Sequence, residues 1–211
     1  MKDVRFNKTL LWLNSLIPIA ILLWDAWNQR LGANPIEYFL RTTGIMTLVF
    51  VLVTMLITPL RKWFGWNQLV KYRRTVGLFA FFYGSIHLST YVVFDRSLDV
   101  GGIVNDVIQR PFIAFGMTAF MLMVPLAVTS TNSMIKRLGG KRWQLLHRLI
   151  YLTAVAGVVH FWMIVKSDIF YPAIFAAVLV TLLAARIYFS ISNKRVKAVK
   201  SQAAAVDGSA S

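Results

Sequence analysis

A chain of 211 residues is enough for one domain or at most two, and 57% hydrophobic content with a mean hydropathy of +0.62 lies far from the ordinary soluble mixture. The formal charge of +15 is not the footprint of a nucleic-acid binder, because the Lys and Arg lie between apolar runs and not on one water-facing surface. Cysteine is absent, which excludes disulfides, Cys-ligated zinc, iron–sulfur clusters and thiol chemistry.

Six stretches are apolar enough to cross a bilayer, at about 17–25 residues each. They are 10–27, 44–60, 75–94, 111–130, 144–165 and 169–189. The first follows Lys2, Arg5 and Lys8, as a secretory signal would. It is longer than a signal core, however, and runs into Trp24-Asp-Ala-Trp-Asn28 without a small-residue cleavage site, so it is read as a retained span. Asp25 near its far end is read as interfacial. Pro18 and Pro125 fall inside spans and predict kinks. Thr129 to Asn132 predict the end of the fourth helix, and Gly139-Gly140 the turn before the fifth. Backbone groups in lipid must be bonded internally, so the predicted fold is all-α, a six-helix transmembrane bundle. Residues 1–193 form the spanning domain, and 194–211, basic and then Ala- and Ser-rich, a flexible cytoplasmic tail.

Eighteen of the 23 Lys and Arg fall on one side of this topology: at the N-terminus, in the second and fourth loops, and from Arg186 onward. The other side has Arg30, Arg41, Arg96, Arg110 and Lys166, together with Glu37, Asp95, Asp99, Asp106 and Asp168. The positive-inside tendency therefore makes both termini cytoplasmic. Tryptophan agrees: Trp12, Trp63, Trp66 and Trp143 mark the inner boundary and Trp24, Trp27 and Trp162 the outer.

The chain has only three histidines, all within spans. An ionisable group in hydrocarbon is costly enough to be a functional residue by default, and the alternative is a neutral imidazole that merely joins two helices. His87 lies 12 residues beyond Thr75 and His160 lies 13 beyond His147, about 18 and 20 Å of helix, so His87 and His160 are expected at one depth near the outer face. Two neutral imidazoles at one level can clamp a haem iron from both sides. His147 lies near the cytoplasmic surface with Arg73 and Arg74, not a histidine, opposite it. Thirteen residues of regular helix leave His147 and His160 roughly 140° apart, which speaks against a simple two-haem ladder. Arg73, Arg74, Arg142 and Arg148 ring the inner end, where topology explains them and haem propionates or a flavin phosphate are possible partners.

The segments Arg73-Arg-Thr-Val-Gly-Leu78 through Ser85-Ile-His87-Leu-Ser-Thr-Tyr91, Arg110-Pro111 to Thr131, and Gly140-Lys-Arg-Trp143-Gln-Leu-Leu-His147 to His160 resemble the MsrQ (YedZ) family. These are haem-binding membrane subunits of bacterial methionine sulfoxide reductase systems, within the ferric-reductase-like transmembrane group. The resemblance implies b-type haem, one or two, bound through His87, His147 and His160; the depth argument makes His87 and His160 the preferred pair. It also implies FMN, quinol as electron donor, and a periplasmic molybdopterin partner of the MsrP type that repairs oxidised periplasmic proteins across the bacterial inner membrane. Larger ferric-reductase-like proteins carry two histidines on each of two helices, whereas the third span here has one. Without a nucleotide-binding domain, use of NAD(P)H would require a cytoplasmic flavin reductase. The partner is expected to dock around Asp95 to Arg110. Competing readings are a transmembrane ferric-chelate reductase and a non-redox channel or scaffold.

Overall fold

The computed structural model describes the backbone of residues 2–165 and 167–209, and side chains from residue 4 to 193 apart from Lys166, whose place in the charge count thus lies outside the described residues. The side chains of the tail from residue 194 lie outside them as well. Among the described residues there are nine α-helices and no strand: α1 (Lys2–Trp27), α2 (Pro35–Phe64), α3 (Val70–Thr90), α4 (Val100–Gln109), α5 (Pro111–Val128), α6 (Asn132–Leu138), α7 (Gly140–Leu146), α8 (Leu149–Ile164) and α9 (Phe170–Ser209). Six segments, 4–27, 35–64, 67–95, 111–128, 140–164 and 170–193, are long and apolar enough to cross a membrane. The fold is an all-α transmembrane bundle.

Capping moves the helix ends away from the apolar limits. The second helix begins nine residues before the expected Gly44, because Pro35 takes its first position and the Asn34 side chain accepts the Glu37 amide at 3.2 Å. It ends at Gly65, whose φ of +71° is a left-handed stop. Pro18 and Pro125 lie inside α1 and α5, and a third proline, Pro59, is buried inside α2. Gly139, at φ +75°, separates α6 from α7. The fifth span is interrupted at His147 and Arg148, between α7 and α8.

Two helix pairs form the centre. The α2–α3 and α5–α8 contacts dominate the packing, and Leu48, Val51, Met55, Ala80, Met123 and Ala154 knit the pairs together. The last helix adds Leu179 and Leu182 to that core. The first packs outside it through Ile19, Leu22, Phe79 and Tyr83, with the Tyr83 hydroxyl donating to the Ser15 carbonyl at 2.7 Å. The central four helices thus enclose the space between His87 and His160.

The face away from the chain's basic end carries a short helix, α4, that hydropathy did not reveal. It is held by Asp106, 4% exposed, which accepts the Tyr91 hydroxyl at 2.7 Å and pairs with Arg96 and, at 3.3 Å, with Arg110. The Tyr91 hydrogen bond, then the charges of Arg110 and Arg96, hold this carboxyl below its usual range against the opposing effect of desolvation. A carboxylate with a lowered folded-state pKa stabilises the fold above the unfolded value, near 4, and that contribution is lost as pH falls through the folded value. Asp106→Asn is therefore expected to lower the melting temperature at neutral pH and to flatten the decline on acidification, so that the two proteins converge in acid. A thermal melt series across pH checks this; equal neutral melting temperatures would contradict it.

Candidate cofactor site

Each of two histidines is tied to the backbone of a neighbouring helix. His87 of α3 places Nδ1 3.0 Å from the Leu40 carbonyl of α2, and His160 of α8 places Nδ1 2.6 Å from the Phe112 carbonyl of α5. A carbonyl can only accept, so Nδ1 carries the proton on both rings. Nε2 is then the lone-pair nitrogen. Among the described residues neither Nε2 has a hydrogen-bond partner.

Glycine makes this approach possible, and it recurs at equivalent steps. Four residues after Leu40 is Gly44, where a Cβ would come within 3.1 Å of the His87 ring; four after Phe112 is Gly116, where it would come within 2.8 Å of the His160 ring. On the histidine-bearing helices, Gly84 and Gly157 each lie three residues before the histidine and so on its face. A Cβ at Gly84 would meet Met123 at 2.9 Å, and one at Gly157 would meet Leu48 at 3.3 Å. All four glycines and both histidines line one cavity of about 330 Å³, within the range of about 300–1,000 Å³ usual for small-molecule sites. Sequence reasoning singled out the histidines and missed the glycines. The signal was present as Gly84-Ser-Ile-His87 and Gly157-Val-Val-His160.

The ring centres of His87 and His160 are 6.2 Å apart with their planes at 84°. Two metal–imidazole bonds of about 2 Å, with about 1 Å from each ring centre to its nitrogen, add up to about 6 Å. The spacing suits one metal ion held between the rings. Among the described residues no group of three or more His, Cys, Asp or Glu could hold a bare ion. Two imidazoles suffice only if the metal arrives with its other ligands, as haem iron does. The apolar, glycine-lined walls fit a flat macrocycle, and Arg41 and Arg110 lie at the cavity rim with Glu37 and Asp95. Both arginines are already paired, Arg41 with Glu37 at 3.7 Å and Arg110 with Asp106.

His147 is placed elsewhere and does not line this cavity. Its ring stacks on Trp143, centres 3.9 Å apart at 30°, and its Nε2 is 3.1 Å from Thr129 Oγ1. The Thr129 hydroxyl donates to the Pro125 carbonyl at 2.6 Å, so it accepts from His147, while Trp143 Nε1 donates to the Thr129 carbonyl at 2.9 Å. The angle of roughly 140° assumed unbroken helix. The turn at His147 and Arg148 removes that assumption. Arg73, Arg74, Arg142 and Arg148 do not line the cavity either; Arg74 instead donates to Asn132 Oδ1.

Residues 43–158 match the family described as ferric reductase like transmembrane component. The chain is 46% identical over 185 residues to a protein of Herminiimonas arsenicoxydans named protein-methionine-sulfoxide reductase heme-binding subunit MsrQ, covering 87% of this chain and 85% of that one. Proteins of the same name from Ralstonia nicotianae and Rhodospirillum rubrum are 44% and 49% identical, covering 94% and 90% of this chain and 92% of each of theirs.

Proposed function

The chain belongs to the ferric reductase-like transmembrane family, and within it to the MsrQ proteins, and from that premise we propose that it is the membrane electron-transfer subunit of a methionine sulfoxide reductase system. Electrons enter from quinol, cross the bilayer through b-type haem, and leave to a periplasmic molybdopterin enzyme of the MsrP type that reduces methionine sulfoxide in oxidised proteins. Oxidising one quinol to quinone releases two electrons and two protons; converting one sulfoxide to thioether and water consumes two of each. The two half-reactions balance without a further reactant. In this reading both termini are cytoplasmic, the segment from residue 194 is a basic cytoplasmic tail, and the membrane is the bacterial inner membrane. FMN, and a cytoplasmic flavin reductase as an alternative entry for electrons, belong to the same proposal.

One observation carries it: the pair His87 and His160, each with Nδ1 bonded to a backbone carbonyl, facing a glycine-lined cavity from two helices. Bound haem supplies a one-electron centre whose potential depends on axial ligands and burial. The protein's share is to fix the tautomer and orientation of both rings through the Leu40 and Phe112 carbonyls, and to exclude water with apolar helix faces. In this reading His87 and His160 serve as ligands, and the sulfoxide is reduced on the partner.

The matched family description favours ferric-chelate reduction as a second reading. Purified protein in liposomes, reduced with a soluble quinol, separates the two. Haem reoxidation that requires an MsrP-type partner and a sulfoxide-containing protein is the expected result. Reoxidation by ferric citrate at a comparable rate without the partner would favour the second reading. A folded but colourless protein, after expression with adequate haem, would leave only a channel or scaffold.

A further inference from the structure

Arg186 is counted with the charges of the C-terminal end, yet it lies inside the apolar stretch 169–189, three residues or about one helical turn before its limit. An arginine at such a depth ordinarily extends its head to water. Here it turns to the junction of three other helices. Its Nη2 donates to Thr58 Oγ1 of α2 at 2.7 Å, and its guanidinium stands 5.6 Å from the Tyr151 ring centre of α8. Arg61 follows Thr58 by three residues on the same face of α2, and Gly77 of α3 packs on Thr54 of α2, so the antiparallel run of the two helices brings Arg73 level with Thr58. The buried Nε of Arg186 has no hydrogen-bond partner.

Three half-buried guanidinium-bearing side chains thus lie at one level of the bundle, and among the described residues no carboxylate pairs with them. Among the described residues every ion pair lies at the opposite face, around Glu37, Asp95 and Asp106. Like charges in a partly desolvated junction repel, and an unpaired buried donor costs free energy, unless an anion joins them. A carboxylate offers two oxygens on one plane. A phosphoryl group offers three or more in a tetrahedron, which suits guanidinium donors arriving from α2, α3 and α9.

We propose that Arg61, Arg73 and Arg186, with Thr58 and Tyr151 beside them, form a phosphoryl-binding site at the basic end of the bundle, separate from the cavity between His87 and His160. None of these five residues lines that cavity. The ligand is either the headgroup of an anionic phospholipid or a soluble phosphate compound, since both present the same group.

The haem-loaded protein is melted in phosphatidylcholine nanodiscs with inorganic phosphate, with chloride at equal ionic strength, and in nanodiscs that include phosphatidylglycerol. Binding to the folded state raises the melting temperature, by about 3–6 °C for each tenfold excess over Kd in a chain of this size. A rise with phosphatidylglycerol alone assigns a lipid headgroup, and a rise with phosphate over chloride assigns a soluble ligand. Either rise is expected to vanish in Arg186→Gln and to persist in Lys71→Gln, an exposed charge on the same end. Arg61→Gln serves if Arg186→Gln does not fold. No specific rise in the parent, or a rise kept by both arginine variants, overturns the site. Loss of haem absorbance in parallel with the loss of the rise would place these cations on the cofactor, and would also overturn a separate site.

Discussion

Alanine at either His87 or His160 is expected to abolish the reducible b-type haem spectrum while leaving the helical fold in place. Even loss of an outer-shell partner typically weakens metal sites about 10–100-fold, and removal of an axial imidazole removes the bond itself. His87→Ala and His160→Ala should behave alike, because the two rings are equivalent in their Nδ1 bonding and meet across a single 6.2 Å gap. His147→Ala should keep that haem, since its ring contacts Trp143 and Thr129 and not the cavity. Visible spectra of oxidised and reduced protein, normalised to protein concentration, read all three at once. A spectrum that survives His160→Ala would sink the paired-ligand assignment. Loss of about half the absorbance in His147→Ala would instead reveal a second haem at that histidine.

The second large effect concerns a residue with no chemistry of its own. Gly116→Ala places a methyl group where it would lie 2.8 Å from both Cε1 and Nδ1 of His160, and that ring is held by a 2.6 Å hydrogen bond to Phe112. The imidazole is not the loose end of a flexible side chain, so relief requires it to swing away from its carbonyl or α5 to move away from α8. Overpacking of this kind costs about 1–3 kcal/mol, roughly 5- to 200-fold in the affinity of whatever depends on that geometry. Haem retention during a gel-filtration step should fall accordingly. Gly44→Ala meets the His87 ring at 3.1 Å and should show the same effect at smaller size. The order of the two variants is the diagnostic part. If Gly116→Ala retains haem as the parent does and Gly44→Ala loses it, the glycine contacts do not control the ligand geometry.

Some of this site was legible in the chain because hydrocarbon constrains sequence so strongly. A histidine in an apolar span is conspicuous, and with a fixed rise per residue its depth can be reckoned from where the span enters the membrane. His87 and His160 were matched in that way. The glycines were not, since a glycine in a membrane helix has several ordinary uses in close packing. Only the position of an imidazole against the 40–44 and 112–116 backbone steps gives Gly44 and Gly116 their role. Helix α4 escaped for a different reason: ten residues of mixed polarity at a membrane surface carry no span signal, and what orders them is the Asp106 cluster drawn from three segments.

The sequence by itself determined that this chain is an all-α membrane bundle with six spans, because composition, segment length and internal backbone bonding leave no other spanning structure for it. It also determined the short list of three histidines from which any ligand pair had to come. The tertiary structure decided which two meet, which nitrogen each presents, and that His147 stands apart at a break between α7 and α8. It likewise decided that Arg186 turns inward to Thr58 and Tyr151. The physical reason is the same in each case. Depth along a helix follows from counting residues, whereas rotation about its axis and the choice of neighbour depend on how helices distant in sequence pack, and a single turn or cap changes both.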